Sequence, residues 1–262
     1  QTSSKSSSQL DDSAVTMGAR TTLDQNLTLT FFTTMHDGEI QGPLMHADAS
    51  GWELGFVGTY LIDEPSRTQV FTGMQLGRFS FDGIRESATG TAGGWLPGDA
   101  EFTNVDGTAW RGVLGMESLA YQHDVLQVYA HASLHFLSSD VDSIRETGAT
   151  PLLIDGFDQQ GQYVDFGLRG TWQVMDRMTA HADLGSSLPL FESSDDIHAS
   201  FATSGSTMKI QPSVLIDQTI YFGLGMRYDL EENLTAGVNW RCETWNHGKP
   251  LHNLGAGITW GF

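Results

Sequence analysis

Apolar and polar positions alternate with a period of two along nearly the whole chain. In segment 27–36, Leu27, Leu29, Phe31 and Met35 oppose Thr28, Thr30, Thr34 and His36. In 125–138, Leu126, Val128, Ala130, Leu134 and Phe136 oppose Gln127, Tyr129, His131, Ser133 and His135. The same pattern fills 16–22, 51–62, 68–81, 108–121, 162–174, 178–190, 218–230, 234–244 and 252–262. Side chains two apart share a face of a strand, so each segment predicts a strand with one apolar and one polar or small face. That makes eleven segments and an all-β fold.

The connections alternate in length. Short, turn-rich links at 23–26, 63–67, 122–124, 175–177 and 231–233 alternate with long Gly, Asp, Ser and Thr stretches at 37–50, 82–107, 139–161 and 191–217. Short turns on one rim and long loops on the other are the pattern of a transmembrane antiparallel up-and-down barrel. Alternation by itself equally suits a soluble barrel with its apolar face inside. The loop lengths, the strand lengths and the terminal Phe262 decide for the membrane. Trp52, Trp110, Trp172, Trp240, Trp260 and Tyr60 share the apolar parity towards strand ends, as interfacial girdles require.

Composition fits this reading. The 262 residues hold 30 glycines and carry a mean hydropathy of −0.21. No apolar run is long enough for a membrane helix, which needs about 18 or more residues. Barrel strands need only about 9–11 residues and keep half of them polar. Thirteen basic against 32 acidic residues, a formal charge of −19, leave no footprint for nucleic acid. The single cysteine, Cys242, excludes an internal disulfide and a Cys-based zinc site, and its parity puts it with Val238 and Trp240 on the apolar face.

Strand number sets a constraint. Single-chain bacterial barrels have an even count, so eleven visible strands call for a twelfth. Residues 1–11 are Ser-rich and read as a linker or a poor first strand, with the barrel spanning 12–262. The missing strand is either this segment or one upstream of it.

The final stretch, with aromatic residues two apart and an aromatic end, looks like the closing strand of an outer-membrane barrel. More broadly, the chain resembles the autotransporter β-domain, the translocator barrel of type V secretion. The resemblance rests on an ordered set of pieces. These are Met17-Gly-Ala-Arg20 with Leu27-Thr-Leu-Thr30, Leu76-Gly-Arg-Phe-Ser-Phe-Asp82, Leu114-Gly-Met-Glu117, Phe166-Gly-Leu-Arg169, Gly225-Met-Arg-Tyr-Asp-Leu230 and Leu254-Gly-Ala-Gly-Ile-Thr-Trp-Gly-Phe262. It implies a twelve-stranded barrel in the outer membrane of a Gram-negative bacterium that anchors and exports an N-terminal passenger polypeptide. It also implies outer-membrane lipid and lipopolysaccharide as surroundings. The barrel-assembly machinery would read Ile258, Trp260 and Phe262 as its assembly signal.

Candidate chemistry sits on the polar parity. Arg111, Glu117, Asp165, Arg169, Arg227, Asp229, Arg241 and Glu243 would face the lumen and pair there, because buried charges need partners. His131-Ala-Ser133, with Glu146 about a dozen residues on, resembles the motif of outer-membrane phospholipases and lipid A deacylases, which would use Ser as a His-activated nucleophile. Its lumen parity argues against work on lipid, so no catalytic residues are assigned and the chain is expected not to be an enzyme. His131, His135, His181 and Asp183 suit a first-row metal, but no spacing brings them together, so neither a metal nor another cofactor is assigned. A lipid hydrolase and a passive structural pore remain the alternatives to the translocator.

Overall fold

The structure is a computed structural model describing residues 9–41, 45–85, 100–148, 151–202, 204–210, 218–231, 234–245 and 250–260. Its long strands are β1 (Gln9–Thr22), β2 (Leu27–Gln41), β3 (Met45–Asp63), β4 (Thr68–Arg85), β5 (Ala100–His123) and β6 (Leu126–Val141). They continue as β10 (Phe157–Met175), β11 (Met178–Ser194), β14 (Thr219–Glu231), β15 (Leu234–Trp245) and β16 (Leu251–Trp260). Five short strands lie in the long connections: β7 (Ile144–Arg145), β8 (Thr147–Gly148), β9 (Leu152–Ile154), β12 (Ile197–Phe201) and β13 (Thr207–Ile210).

Each long strand pairs antiparallel with the next in one curled sheet, in the order β1-β2-β3-β4-β5-β6-β10-β11-β14-β15-β16. The eleven strands read from the alternation are these eleven. The sheet's twelfth strand is β8, a two-residue segment beside β5 and off that path. Among the described residues β1 and β16 are not paired, and after ten antiparallel reversals along the eleven strands they run the same way. Strand β1 begins at Gln9.

The tight turns use their polar side chains to hold the chain reversal. Asp24 Oδ1 accepts from the backbone N–H groups of Asn26 (2.7 Å) and Leu27 (2.8 Å), an Asx turn. Asp63 Oδ2 accepts from the Ser66 N–H (3.0 Å) and from the Ser66 hydroxyl. These bonds hold the Asp63 carboxyl below the ordinary carboxylate range, the hydroxyl contributing most.

Sidedness settles the choice that alternation leaves open. Leu54 and Leu114 are each 57% exposed and Leu254 is 84% exposed, whereas Glu117 is 8% exposed and Tyr221 3%. The apolar parity faces out and the polar parity faces in. A soluble barrel would have the reverse, so this outer wall is built for lipid. Trp52 and Trp110 stand on it towards the long-loop end, with Tyr60, Tyr121 and Tyr228 towards the turn end. Trp172 and Trp240 are half-buried; Trp240 packs edge-on against Phe222 and stacks on His252.

The strands outrun the sequence expectation at the long-loop end. The stretch 37–50 was expected to be loop, yet β2 continues to Gln41 and β3 starts at Met45. Likewise β4 reaches Arg85, β5 starts at Ala100, and β6, β10 and β11 extend into the stretches assigned to loops. The physical reason is a change of solvent. Beyond Met35, Trp52, Leu76 and Trp110, the outward positions become Asp37, Ser50, Arg78 and Thr108. The inward positions become apolar: Ile40, Ala47, Phe81, Val105 and Val141. Above the lipid the wall follows the rule for a soluble protein, with its apolar face turned in. Ala47, Phe102 and Val105 form a buried cluster there, covered by Ile40, Phe81, Val141 and Ile144.

The long connections are also ordered in part. Strands β13, β12, β9 and β7 make a four-stranded sheet that joins the β6–β10 connection to the β11–β14 connection.

A charged lumen on the inner face

The inner wall from β4 to β15 encloses a cavity of about 650 Å³. Its floor is set by glycines. Gly167 and Gly185 pair across β10 and β11, and Gly185 faces Tyr221 on β14. A Cβ at Gly185 would overlap the Tyr221 phenol and lie 2.7 Å from the Phe166 carbonyl oxygen. Lacking side chains, these positions let Tyr221 lie flat along the wall and reach two strands away.

Asp165 is the hub. Its Oδ1 accepts from the Tyr221 hydroxyl (2.9 Å) and stands 3.2 Å from His131 Nε2. Its Oδ2 accepts from Ser187 Oγ at 2.8 Å. His131 Nε2 also lies 2.9 Å from the Tyr221 hydroxyl. The Asp165 side chain is only 13% exposed, so these partners replace the water it gives up. The Arg241 guanidinium sits 4.0 Å above the Tyr221 ring and is 2.8 Å from Glu243.

A second group lies beside it. Arg169 bridges Glu117 at 3.1 Å on β5 and Asp183 at 2.9 Å on β11. Glu117 also accepts from Gln69 Nε2 at 3.0 Å. Towards the turn end Arg227 and Asp229 approach to 3.5 Å. Arg67 donates to Gln127 (2.8 Å) and Tyr129 (3.1 Å). Towards the loops Glu53 accepts from Gln75 and meets His36 Nε2 at 3.1 Å.

All eight residues singled out from the sequence thus lie on the inner parity. Seven of them have charged or hydrogen-bonding partners. Arg111 lines the main cavity and a smaller one of about 190 Å³, without an ion pair among the described residues. Sequence reasoning missed Tyr221 and Ser187, and weighed His131 and Asp183 only for catalytic and metal roles that it did not assign. The signal for Tyr221 was present: an aromatic on the polar parity among many small residues, in register with a glycine.

The hydrolase motif does not assemble. Ser133 Oγ lies 2.8 Å from His135 Nε2, not against His131, and the His135 ring stacks on Tyr163 at 4.4 Å. Glu146 is far along the chain's outer end, where Arg85 Nε and Nη2 donate to its two oxygens at 2.8 and 2.7 Å. The imidazoles go their own ways too: His131 to Asp165, His135 to Ser133, and His181 over Gly225. Among the described residues no three His, Cys, Asp or Glu side chains stand close enough to hold a metal ion.

Outside the lipid belt, charges pair locally. Arg78 meets Asp106 at 2.6 Å and, by that bond first, holds its carboxyl below the ordinary range. Asp140 on β6 and Asp158 on β10 are directly opposed. Their mutual hydrogen bond, more than any other influence, raises the Asp140 carboxyl above its ordinary value. The bond to Glu146 is the main influence raising the Arg85 guanidinium.

Over residues 1–241 the sequence matches the autotransporter beta-domain family. The chain belongs to that family. It is similar in structure to the translocator domain of the autotransporter NalP from Neisseria meningitidis, with a TM-score of 0.78 at 14% identity, covering 97% of this chain and 81% of that one. The transport unit of the autotransporter AIDA-I from Escherichia coli is similar at a TM-score of 0.61 and 12% identity, covering 98% and 84%. The beta domain of the Bordetella autotransporter BrkA follows at 0.60 and 11%, covering 97% and 92%. No curated protein sequence matches the chain. This autotransporter β-domain is therefore an outer-membrane translocator of a Gram-negative bacterium, whose partner is a passenger polypeptide. Its apolar outer wall and charged inner wall are the physical form of that role.

Proposed function

We propose that the inner wall is the surface along which the passenger moves, and that Arg111, Glu117, Asp165, Arg169, Arg227, Asp229, Arg241 and Glu243 serve that passage by keeping the lumen hydrated and its wall in shape. One observation carries this reading: Arg169 ties three strands together through Glu117 and Asp183 while facing the cavity. Cross-wall ion pairs hold the wall rigid, and a hydrated charged surface gives a moving chain no apolar place to stick. Ile258, Trp260 and Phe262 serve as the tag for the barrel-assembly machinery, and the outward leucines, phenylalanines and tryptophans meet outer-membrane lipid and lipopolysaccharide. Ile258, 74% exposed on the outer face of β16, suits both roles. Trp260 ends β16 with its side chain outside the description, and Phe262 lies outside the described residues. The barrel carries no catalytic activity of its own. The dispersal of Ser133, His131 and Glu146 among separate partners supports that view.

The test is passenger display. Arg169→Met in the complete protein should insert normally, by heat-modifiable gel mobility, and expose less passenger to protease added to whole cells. Normal insertion with unreduced display would show that the Arg169 link does not serve passage. Loss of insertion would assign Arg169 to barrel assembly instead.

A further inference from the structure

The described residues of the β6–β10 connection turn inward at the long-loop end. Ile144 lies on the inner cluster of Ala47, Phe102 and Val105, which are 2%, 8% and 3% exposed. On the inner wall of an open mouth these residues would face water, so the connection is part of what covers them. Three further contacts hold it there. Strand β8 pairs with the start of β5, Glu101 opposite Thr147 and Ala100 opposite Gly148. Glu146, with 3% of its side chain exposed, accepts from Nε and Nη2 of Arg85 at the end of β4. The Leu152 N–H donates to the same carboxylate at 2.8 Å, closing the connection on itself. Strand β9 then binds β12, so the β11–β14 connection is drawn in as well.

We propose that residues 144–148 and 152–154 form a latched inner cap that narrows the extracellular mouth, with the Arg85–Glu146 pair as its latch. The cluster beneath supplies the apolar seat, and the ion pair selects the seated position. A buried carboxylate with a bidentate arginine has no equivalent partner when the segment swings out, so opening exposes the seat and separates two charges at once. Removing the Glu146 carboxylate takes from the seated position both bonds that fix it to the end of β4, which shifts the seated-to-open ratio by about tenfold or more. The cap would limit leakage through a barrel that must otherwise admit a polypeptide. The proposal rests on the barrel standing in a membrane and is independent of how the passenger moves.

The experiment measures ion conductance of the complete protein in planar bilayers. Glu146→Ala should raise the fraction of time spent in conducting states by about tenfold or more over wild type. Glu146→Gln, which keeps an acceptor for Leu152 but loses the charge, should lie between them. A second arm uses Glu101→Cys with Thr147→Cys on a Cys242→Ser background, joining directly paired positions of β5 and β8. Oxidation should suppress conducting events, and a reductant should restore them. Folded Glu146→Ala that conducts like wild type would overturn the latch. If that variant fails to insert, the cysteine pair decides alone: unchanged conductance on oxidation overturns the cap.

Discussion

Gly185→Ala tests whether the lumen wall is held by the fit of Tyr221 into the glycine track. The added methyl group overlaps the Tyr221 ring and meets the Phe166 backbone oxygen at 2.7 Å. The backbone oxygen cannot yield easily, so the ring must leave. Overpacking of this kind costs about 1–3 kcal/mol. Displaced, Tyr221 also surrenders its bond to the Asp165 carboxylate, and a hydrogen bond to a charged group contributes about 1.5–3 kcal/mol. The expected loss is therefore about 2–5 kcal/mol, part of it relieved because His131 and Ser187 stay on Asp165. The control is Gly257→Ala, where a Cβ meets nothing within 4 Å. It should change stability by no more than about 0.5 kcal/mol. Urea unfolding from lipid vesicles, followed by tryptophan fluorescence and heat-modifiable mobility, gives each value. Tyr221→Ser completes a double-mutant cycle. Once the ring is gone only the Phe166 backbone oxygen still crowds the methyl group, so most of the penalty of Gly185→Ala disappears and the coupling should exceed about 1.5 kcal/mol. Additive penalties, or a Gly185→Ala no worse than Gly257→Ala, would refute the argument.

Three further outcomes follow from the same geometry. Leu114→Arg places a cation on the lipid face and should cost about 2–4 kcal/mol in vesicle unfolding, whereas Gln75→Arg, facing Glu53 in the lumen, should be tolerated; the reverse order would invert the sidedness. The raised Asp140 carboxyl stabilises the loop-end pairing below the ordinary carboxylate pKa, and this is lost as pH climbs through the raised value. Asp140→Asn should then match wild type in acid and exceed it at neutral pH, and equal unfolding midpoints at both would contradict the shared hydrogen bond with Asp158. Phe262→Ala should slow assembly in cells far more than folding into synthetic bilayers, read by heat-modifiable mobility; equal impairment would tie Phe262 to stability and not to recognition.

How much of this fold the sequence discloses depends on the solvent around each segment. Within the lipid belt, Leu114, Met116 and Trp110 must face out and Glu117, Gly115 and Arg111 must face in, so one strand is enough to read sidedness. Past Trp110 the same strand continues as Thr108, Asp106 and Val105, with the polar residues now outside. Period two persists, but the faces have exchanged character, and the asparagine at 104 takes a positive φ of 54° where the pairing shifts. A reading that follows one apolar face therefore stops at the lipid boundary and takes the rest for loop. The small sheet is illegible for another reason. Its strands β7, β9, β12 and β13 are two to five residues long, too short to show a clear period, and the four come together only where the β6–β10 and β11–β14 connections meet.

The lumen partners illustrate a third limit. Parity tells that Glu117, Arg169 and Asp183 look inward, but not that they meet. Their meeting depends on register: Glu117 pairs opposite His131, His131 opposite Gly167, and Arg169 opposite Asp183. With glycine at 167, nothing on β10 stands beside His131 to block its approach to Asp165. Register in turn is fixed by the tight turns and by keeping every outward position in lipid, since a one-residue slip would turn each charged face outward. The apolar wall, which makes no contact with the cavity, is thus what places the charges inside it. Mutations on the lipid face that permit a slip should disturb the lumen as severely as mutations in the lumen itself.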